Sequence, residues 1–227
     1  EQEAVLAALL AHPAPRRLLI LGAFPGPALR TALTLPWLRV DVLPLEPSLA
    51  DAHDYAPPED RRAGASPRVR IEHDLDPRLL LLRSASTYDV IFLDLPLPVG
   101  GPISRLASPH LLLPARNALA PGGVLVAALP AASLPGDPAP LTLVAGLARA
   151  LPALFPSASV LPGARKVFFF AAREKRPALP DIALWPARIK SWNLRPLWLT
   201  ETNLRAMTSP ARFDALRNAL RAAPPAA

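Results

Sequence analysis

The stretch Arg17-Leu18-Leu19-Ile20-Leu21-Gly22, continuing through Ala23-Phe24-Pro25-Gly26, decides the fold. Four aliphatic residues in a row leave no polar face, so the run reads as a strand buried on both sides, as in a parallel sheet covered by helices. Gly22 closes the strand, and Pro27–Leu35 reads as the helix that follows. The same rhythm continues outward. Leu38–Leu45, Arg68–Glu72, Tyr88–Leu93 (YDVIFL) and Val124–Leu129 read as strands two to five. Ser48–Tyr55, Pro77–Ser84 and Pro109–Leu119 read as helices between them, Pro57–Ser66 as a polar loop and Pro96–Pro102 as a Pro/Gly loop. A short amphipathic helix, Glu3–Ala11, comes first. After strand five, Leu141–Leu154 predicts a helix, and Ser159–Leu161 with Lys166–Ala171 predicts an antiparallel pair closing one edge. The expected fold is therefore α/β and doubly wound, with central strand order 3-2-1-4-5 and helices on both faces.

Composition narrows the possibilities. Of 227 residues, 51% are apolar, enough for a large core, and a mean hydropathy of +0.25 excludes a disordered chain. Cysteine is absent, which rules out disulfides, thiolate catalysis and Cys-based zinc or iron–sulfur sites. The four histidines (His12, His53, His73, His110) contain no i, i+4 pair, so no metal is expected. The 31 prolines, about 14% of the chain against a usual roughly 5%, follow no period and read as loop punctuation. No apolar run reaches the roughly 18–20 residues of a spanning helix; the nearest, Leu141–Phe155, contains Arg149 and Pro152. No basic leader region is visible, and a start at Glu1 reads as a trimmed piece of something longer.

Charge is unevenly placed. Residues 1–100 carry ten Arg against thirteen acids, and residues 101–227 carry fifteen Lys plus Arg against five acids. Only three of the 25 cations are Lys, and no aromatic residues interleave with them in a nucleic-acid-binding pattern, so the basic half reads as a solvated surface with no nucleic-acid partner.

In an open parallel sheet, ligands bind beyond the carboxyl ends of the strands. Strand one ends at Gly22 and turns through Ala23 to Gly26, which lets a ligand approach the backbone. Strand two delivers Glu46, strand three Asp74 and strand four Asp94 to the same rim. Glu46 is placed to accept from ribose hydroxyls, Asp74 from an adenine amino group, and Asp94 would face the reacting end. Glu46 and Asp74 also suit plain helix caps. The spacing G-x-x-x-G is not the dinucleotide pattern, so the ordered set points to an adenosine-type ligand without a diphosphate rather than to NAD.

HPAPRRLLILGAFPG (12–26), VDVLPLEP (40–47), PRVRIEHD (67–74), YDVIFLDLPLP (88–98), LAPGGVLVAALP (119–130) and FPSASVLPG with FFFAA (155–172) together resemble the spermidine synthase-like proteins, a branch of the S-adenosylmethionine-dependent methyltransferase fold. The resemblance implies a Rossmann-like sheet, with residues 1–174 as a nucleoside-binding domain. Beyond about residue 174 the pattern changes, and 175–227 reads as a basic, Pro/Trp-containing C-terminal extension with short helices at Thr200–Met207 and Ala211–Ala222. It implies binding of decarboxylated S-adenosylmethionine or S-adenosylmethionine, and aminopropyl transfer to an amine. Glu46, Asp74 and Asp94 match the family's ribose, adenine and catalytic acids, and Gly22, Ala23 and Gly26 its turn. Two positions depart: Pro25 stands where an acid holds the aminopropyl ammonium, and Leu97 where a second acid helps hold the acceptor amine. The family's N-terminal β-hairpin domain has no counterpart in these 227 residues.

Three readings follow: an aminopropyl or related alkyl transferase with an altered acceptor, a non-catalytic accessory subunit, and a small-molecule methyltransferase. The later RPLWLTETNLRAM (195–207) resembles a segment of membrane-fused bacterial members. From Gly163 onward, twelve cations face four acids, with Trp185, Trp192 and Trp198 among them. These indoles must pack somewhere. The expectation is that 177–198 reaches away from the core and docks a cytoplasmic chain onto a membrane-bound assembly.

Overall fold

The computed structural model describes residues 2–22, 26–44, 56–72, 75–94, 108–130, 139–163, 166–176, 180–197 and 199–222. The strands β1 (Arg17–Gly22), β2 (Arg39–Pro44), β3 (Val69–Ile71), β4 (Tyr88–Asp94), β5 (Leu119–Pro130), β6 (Ser157–Pro162) and β7 (Lys166–Ala172) make one sheet in the order β3-β2-β1-β4-β5-β7-β6. β1 to β5 are parallel, and β7 runs antiparallel to both β5 and β6. The chain moves from β1 outward through β2 to β3, then returns to the other side of β1 with β4. The crevice between β1 and β4 is therefore the switch point of the sheet.

β1 shows why the sheet is covered twice. Leu18 and Ile20 face a core shared with α1 (Gln2–Leu10), α2 (Gly26–Ala32), α3 (Pro58–Gly64), α7 (Trp185–Ser191) and α8 (Glu201–Met207). Leu19 and Leu21 face a second core with α4 (Pro77–Arg83), α5 (Pro109–Ala118) and α6 (Ala139–Leu154), against which Leu216 and Leu220 of α9 (Pro210–Ala222) also pack. All four side chains are fully buried. At roughly 1.5–3 kcal/mol each, they commit the strand to the middle of the molecule.

Prolines start helices more often than they interrupt them. Pro58, Pro77 and Pro109 open α3, α4 and α5, where the missing N–H would have had no helical partner. The helix ends that precede strands are held by arginine. Arg68 donates to Leu35 O at 2.7 Å and Leu33 O at 3.0 Å beyond α2, and Arg116 to Leu154 O at 2.9 Å. Arg188 donates to Leu10 O, and Arg173 to Leu119 O. Each guanidinium meets carbonyls at or just beyond the negative end of a helix dipole.

Three expectations need correction. The polar loop at 57–66 is mostly helix: α3 has Pro58 in its first turn with Glu59 and Asp60, which suit the positive end of the dipole. Its sequence lacks an apolar stripe because only Asp60 and Ala63 face inward. β5 begins at Leu119, five residues early, because Gly122 takes a φ of +73° and lets the strand pass Pro121-Gly122-Gly123. The described part of 177–198 does not reach away from the core. Trp185 is fully buried edge-on to Phe170 (6.3 Å between ring centres), and Ile182, Ile189, Trp192 and Leu194 pack on the same core. Trp192 meets Trp37 edge-on at 6.4 Å. The indole area that demanded a partner finds it within the chain. Trp198 and the expected helix Ser48–Tyr55 lie outside the described residues.

Candidate functional site at the carboxyl ends of the strands

β1 and β4 end side by side, with Gly22 in register with Asp94. A Cβ on Gly22 would stand 2.4 Å from the Asp94 carbonyl oxygen, so only glycine allows the two strand ends to approach this closely. Gly26 serves a similar purpose four residues on. A Cβ there would stand 2.6 Å from Cγ of Asp60, a carboxylate only 4% exposed. Arg30 Nε pairs with Asp60 Oδ1 at 2.5 Å, as an ion pair without the angle of a hydrogen bond. Both glycines thus have a demanding neighbour in their own chain. Asp60 escaped sequence reasoning because its helix did; the signal was Pro58 followed by two acids at the head of a short polar segment.

Asp94 is the centre of the site. It ends β4, is 8% exposed, and accepts a hydrogen bond from Lys166 Nζ to Oδ1 at 2.7 Å. A carboxylate this buried requires a partner, because uncompensated desolvation of a charge costs several kcal/mol. Lys166 opens β7, opposite Pro130 at the end of β5, so the antiparallel course of β7 brings its first residue to the rim where the parallel strands finish. Lys166 is the rim residue that sequence reasoning missed. Its pairing spans 72 positions and leaves no local pattern.

Gly22, Gly26 and Asp94 therefore stand at the described rim. Ala23, Glu46 and Asp74 lie outside the described residues, as do Pro25 and Leu97. Neighbouring geometry bears on one alternative. The N-cap of α4 is Asp76, which accepts from Arg78 N at 2.8 Å, so the cap considered for Asp74 belongs to Asp76. The Arg78 side chain and backbone N–H together hold the Asp76 carboxyl below its ordinary range.

The fold recurs among solved structures. The chain superposes on spermidine synthase in complex with the transition-state analogue AdoDATO with a TM-score of 0.78, at 18% identity over 96% of this chain and 74% of that one. It superposes on spermidine synthase from Thermotoga maritima with a TM-score of 0.73, at 18% identity over 95% and 71%. Human methyltransferase-like protein 13 in complex with SAH aligns with a TM-score of 0.56, at 19% identity over 100% and 93%. The chain has the Rossmann-like methyltransferase fold. No family model matches the chain. In this methyltransferase fold, the rim holding Gly22, Asp94 and Lys166 is the carboxyl end of the sheet, where open α/β folds place their ligands. Among the described residues, no helix is long and apolar enough to cross a membrane.

Proposed function

We propose that the chain is an alkyl transferase domain that binds an S-adenosylmethionine-type nucleoside at the carboxyl ends of β1 and β4. The observation that carries this reading is the register of Gly22 on a buried, charge-paired Asp94 at the switch point. In this reading Gly22, Ala23 and Gly26 form the turn beside the ligand. Glu46 takes the ribose hydroxyls, Asp74 the adenine amino group, and Asp94 faces the reacting sulfonium. The chain's contribution is orientation and charge rather than covalent chemistry. Asp94 holds the reacting end in line while a nucleophile's lone pair forms a bond to the carbon on sulfur. The carbon–sulfur bond breaks, its electron pair goes to sulfur and leaves a neutral thioether, and the nucleophile's proton passes to Asp94 or to water.

Aminopropyl transfer to a diamine, the activity that the resemblance implies, asks more of this site. A cationic acceptor needs carboxylates of its own. Asp94 already holds the Lys166 ammonium, and Leu97 replaces the second acid of the motif. An acceptor other than a diamine fits these residues better. A non-catalytic accessory domain in a membrane-associated complex is the second reading, favoured by the same pair if no ligand opens it.

Calorimetric titration with methylthioadenosine tests the nucleoside reading. Saturable one-to-one binding is expected, and Asp94→Asn should leave it intact because Asp94 faces the reacting end. Absence of binding at millimolar ligand would favour the accessory reading.

A further inference from the structure

The ion pair at the rim is built over a distance. Asp94 on β4 and Lys166 on β7 flank β5, where Ala128 is in register with Asp94 and Pro130 with Lys166. Neighbouring strands lie about 4.8 Å apart, so the lysine stem reaches across roughly two spacings to find the carboxylate. Ala128, fully buried and small, leaves that path open. A pair of this kind is a weak device for stability, because desolvating both charges offsets most of their attraction. It does supply one anion and one cation at the rim, with side chains 11% and 22% exposed. An ammonium carries three donors and a carboxylate two acceptor oxygens, so one mutual hydrogen bond exhausts neither group.

We infer that the Asp94–Lys166 pair recognises the zwitterionic α-amino acid end of the donor, with its ammonium on Asp94 and its carboxylate on Lys166. This inference rests on the nucleoside reading above and makes it more specific. Intact S-adenosylmethionine presents both charges, so it exchanges one internal pair for two intermolecular ones. The decarboxylated donor presents only an ammonium. Its ammonium must share Asp94 with Lys166, which sets two ammoniums on one carboxylate beside a sulfonium that is itself positive. Lys166 thus acts as a specificity residue that selects the donor by charge. The group transferred is then the sulfonium methyl: the nucleophile bonds to that carbon, the carbon–sulfur pair goes to sulfur, and the nucleophile's proton passes to water because Asp94 is held by the donor's ammonium. The aminopropyl reaction is disfavoured at the binding step.

The full chain would be titrated calorimetrically with S-adenosylmethionine, its decarboxylated form and methylthioadenosine, as wild type and as Lys166→Met, with a thermal melt to confirm that the variant folds. The wild type should bind S-adenosylmethionine at least about tenfold more tightly than the decarboxylated form, the scale of one charge-assisted contact. Lys166→Met should lose or reverse that preference while its affinity for methylthioadenosine changes by less than about twofold. Equal affinities, or preference for the decarboxylated donor, in the wild type would overturn the inference without any variant. So would full preference retained by a folded Lys166→Met. If methylthioadenosine binds and the donors are not distinguished, only this inference fails; if methylthioadenosine does not bind, the nucleoside reading fails and this inference with it.

Discussion

Where the parallel strands begin, charged side chains hold mostly backbone, with Arg17 and Asp41 the side-chain pair described there; where they finish, the described pairs hold one another. At the beginning, Asp89 accepts from the amides of Arg16 and Arg17 at 2.8 and 2.9 Å, and arginines 68, 116, 173 and 188 close helix ends. Tyr88 donates to Asp41 at 2.9 Å, and burial together with the Asp41 charge pushes the phenol up to about 12. At the finishing end, Asp94 pairs with Lys166 and Asp60 with Arg30. The difference follows from dipoles. Helix carboxyl ends, with their unpaired carbonyls, gather at the strand starts and draw arginine there. Of the basic second half, Arg116, Arg173, Arg176 and Arg188 are thus engaged on backbone carbonyls within the protein. Among the described residues, the finishing end has side-chain pairs rather than arginines on helix carbonyls.

Four substitutions or titrations sharpen the contrast, from the largest effect down. Trp185→Ala should cost roughly 3–5 kcal/mol in chemical denaturation, as large aromatic truncations in cores do. A loss below about 1 kcal/mol would mean that the C-terminal segment is not part of the core. Gly22→Ala puts a methyl against the Asp94 carbonyl and should cost roughly 1–3 kcal/mol by overpacking. It should also abolish methylthioadenosine binding, and unchanged binding would separate Gly22 from the site. Arg68→Met keeps most of the apolar stem and removes the carbonyl contacts, so a loss of roughly 1–2 kcal/mol is expected with nucleoside affinity unchanged.

The smallest effect is a pH dependence at His12. Burial lowers its pKa from 6.5, Asp89 opposes that shift, and Arg176 and Arg188 add to it. The folded state therefore resists protonation more than the unfolded state does. Stability from this group is fully present above pH 6.5 and falls as the pH drops from there toward the folded-state value. His12→Gln should flatten that part of the stability profile, measured by denaturation at a series of pH values; an unchanged slope would assign it elsewhere.

These regions were unequally legible in the sequence. Strands buried on both faces announce themselves as aliphatic runs, which is why β1 and β4 could be read within a residue; β2 and the edge strand β3 were read within two from alternating apolar residues. The strand order followed from connection rules that need no side-chain detail. Gly22 and Asp94 were legible as neighbours at the rim because strand ends are positions, and a position can be counted. Lys166 and Asp60 were not, since each acts through a partner brought close only by the completed sheet. α3 was hidden by its polarity. Trp185 was legible as a residue in need of burial, but nothing local said that Phe170 would provide it.

A crystal structure of the chain grown with methylthioadenosine is the decisive experiment on nucleoside binding where β1 and β4 finish. The ligand is expected at the carboxyl ends of these two strands, its sulfur on the side of Asp94 and Lys166. A ligand seated at the other end of the sheet, or a rim left empty at saturating concentration, would contradict it.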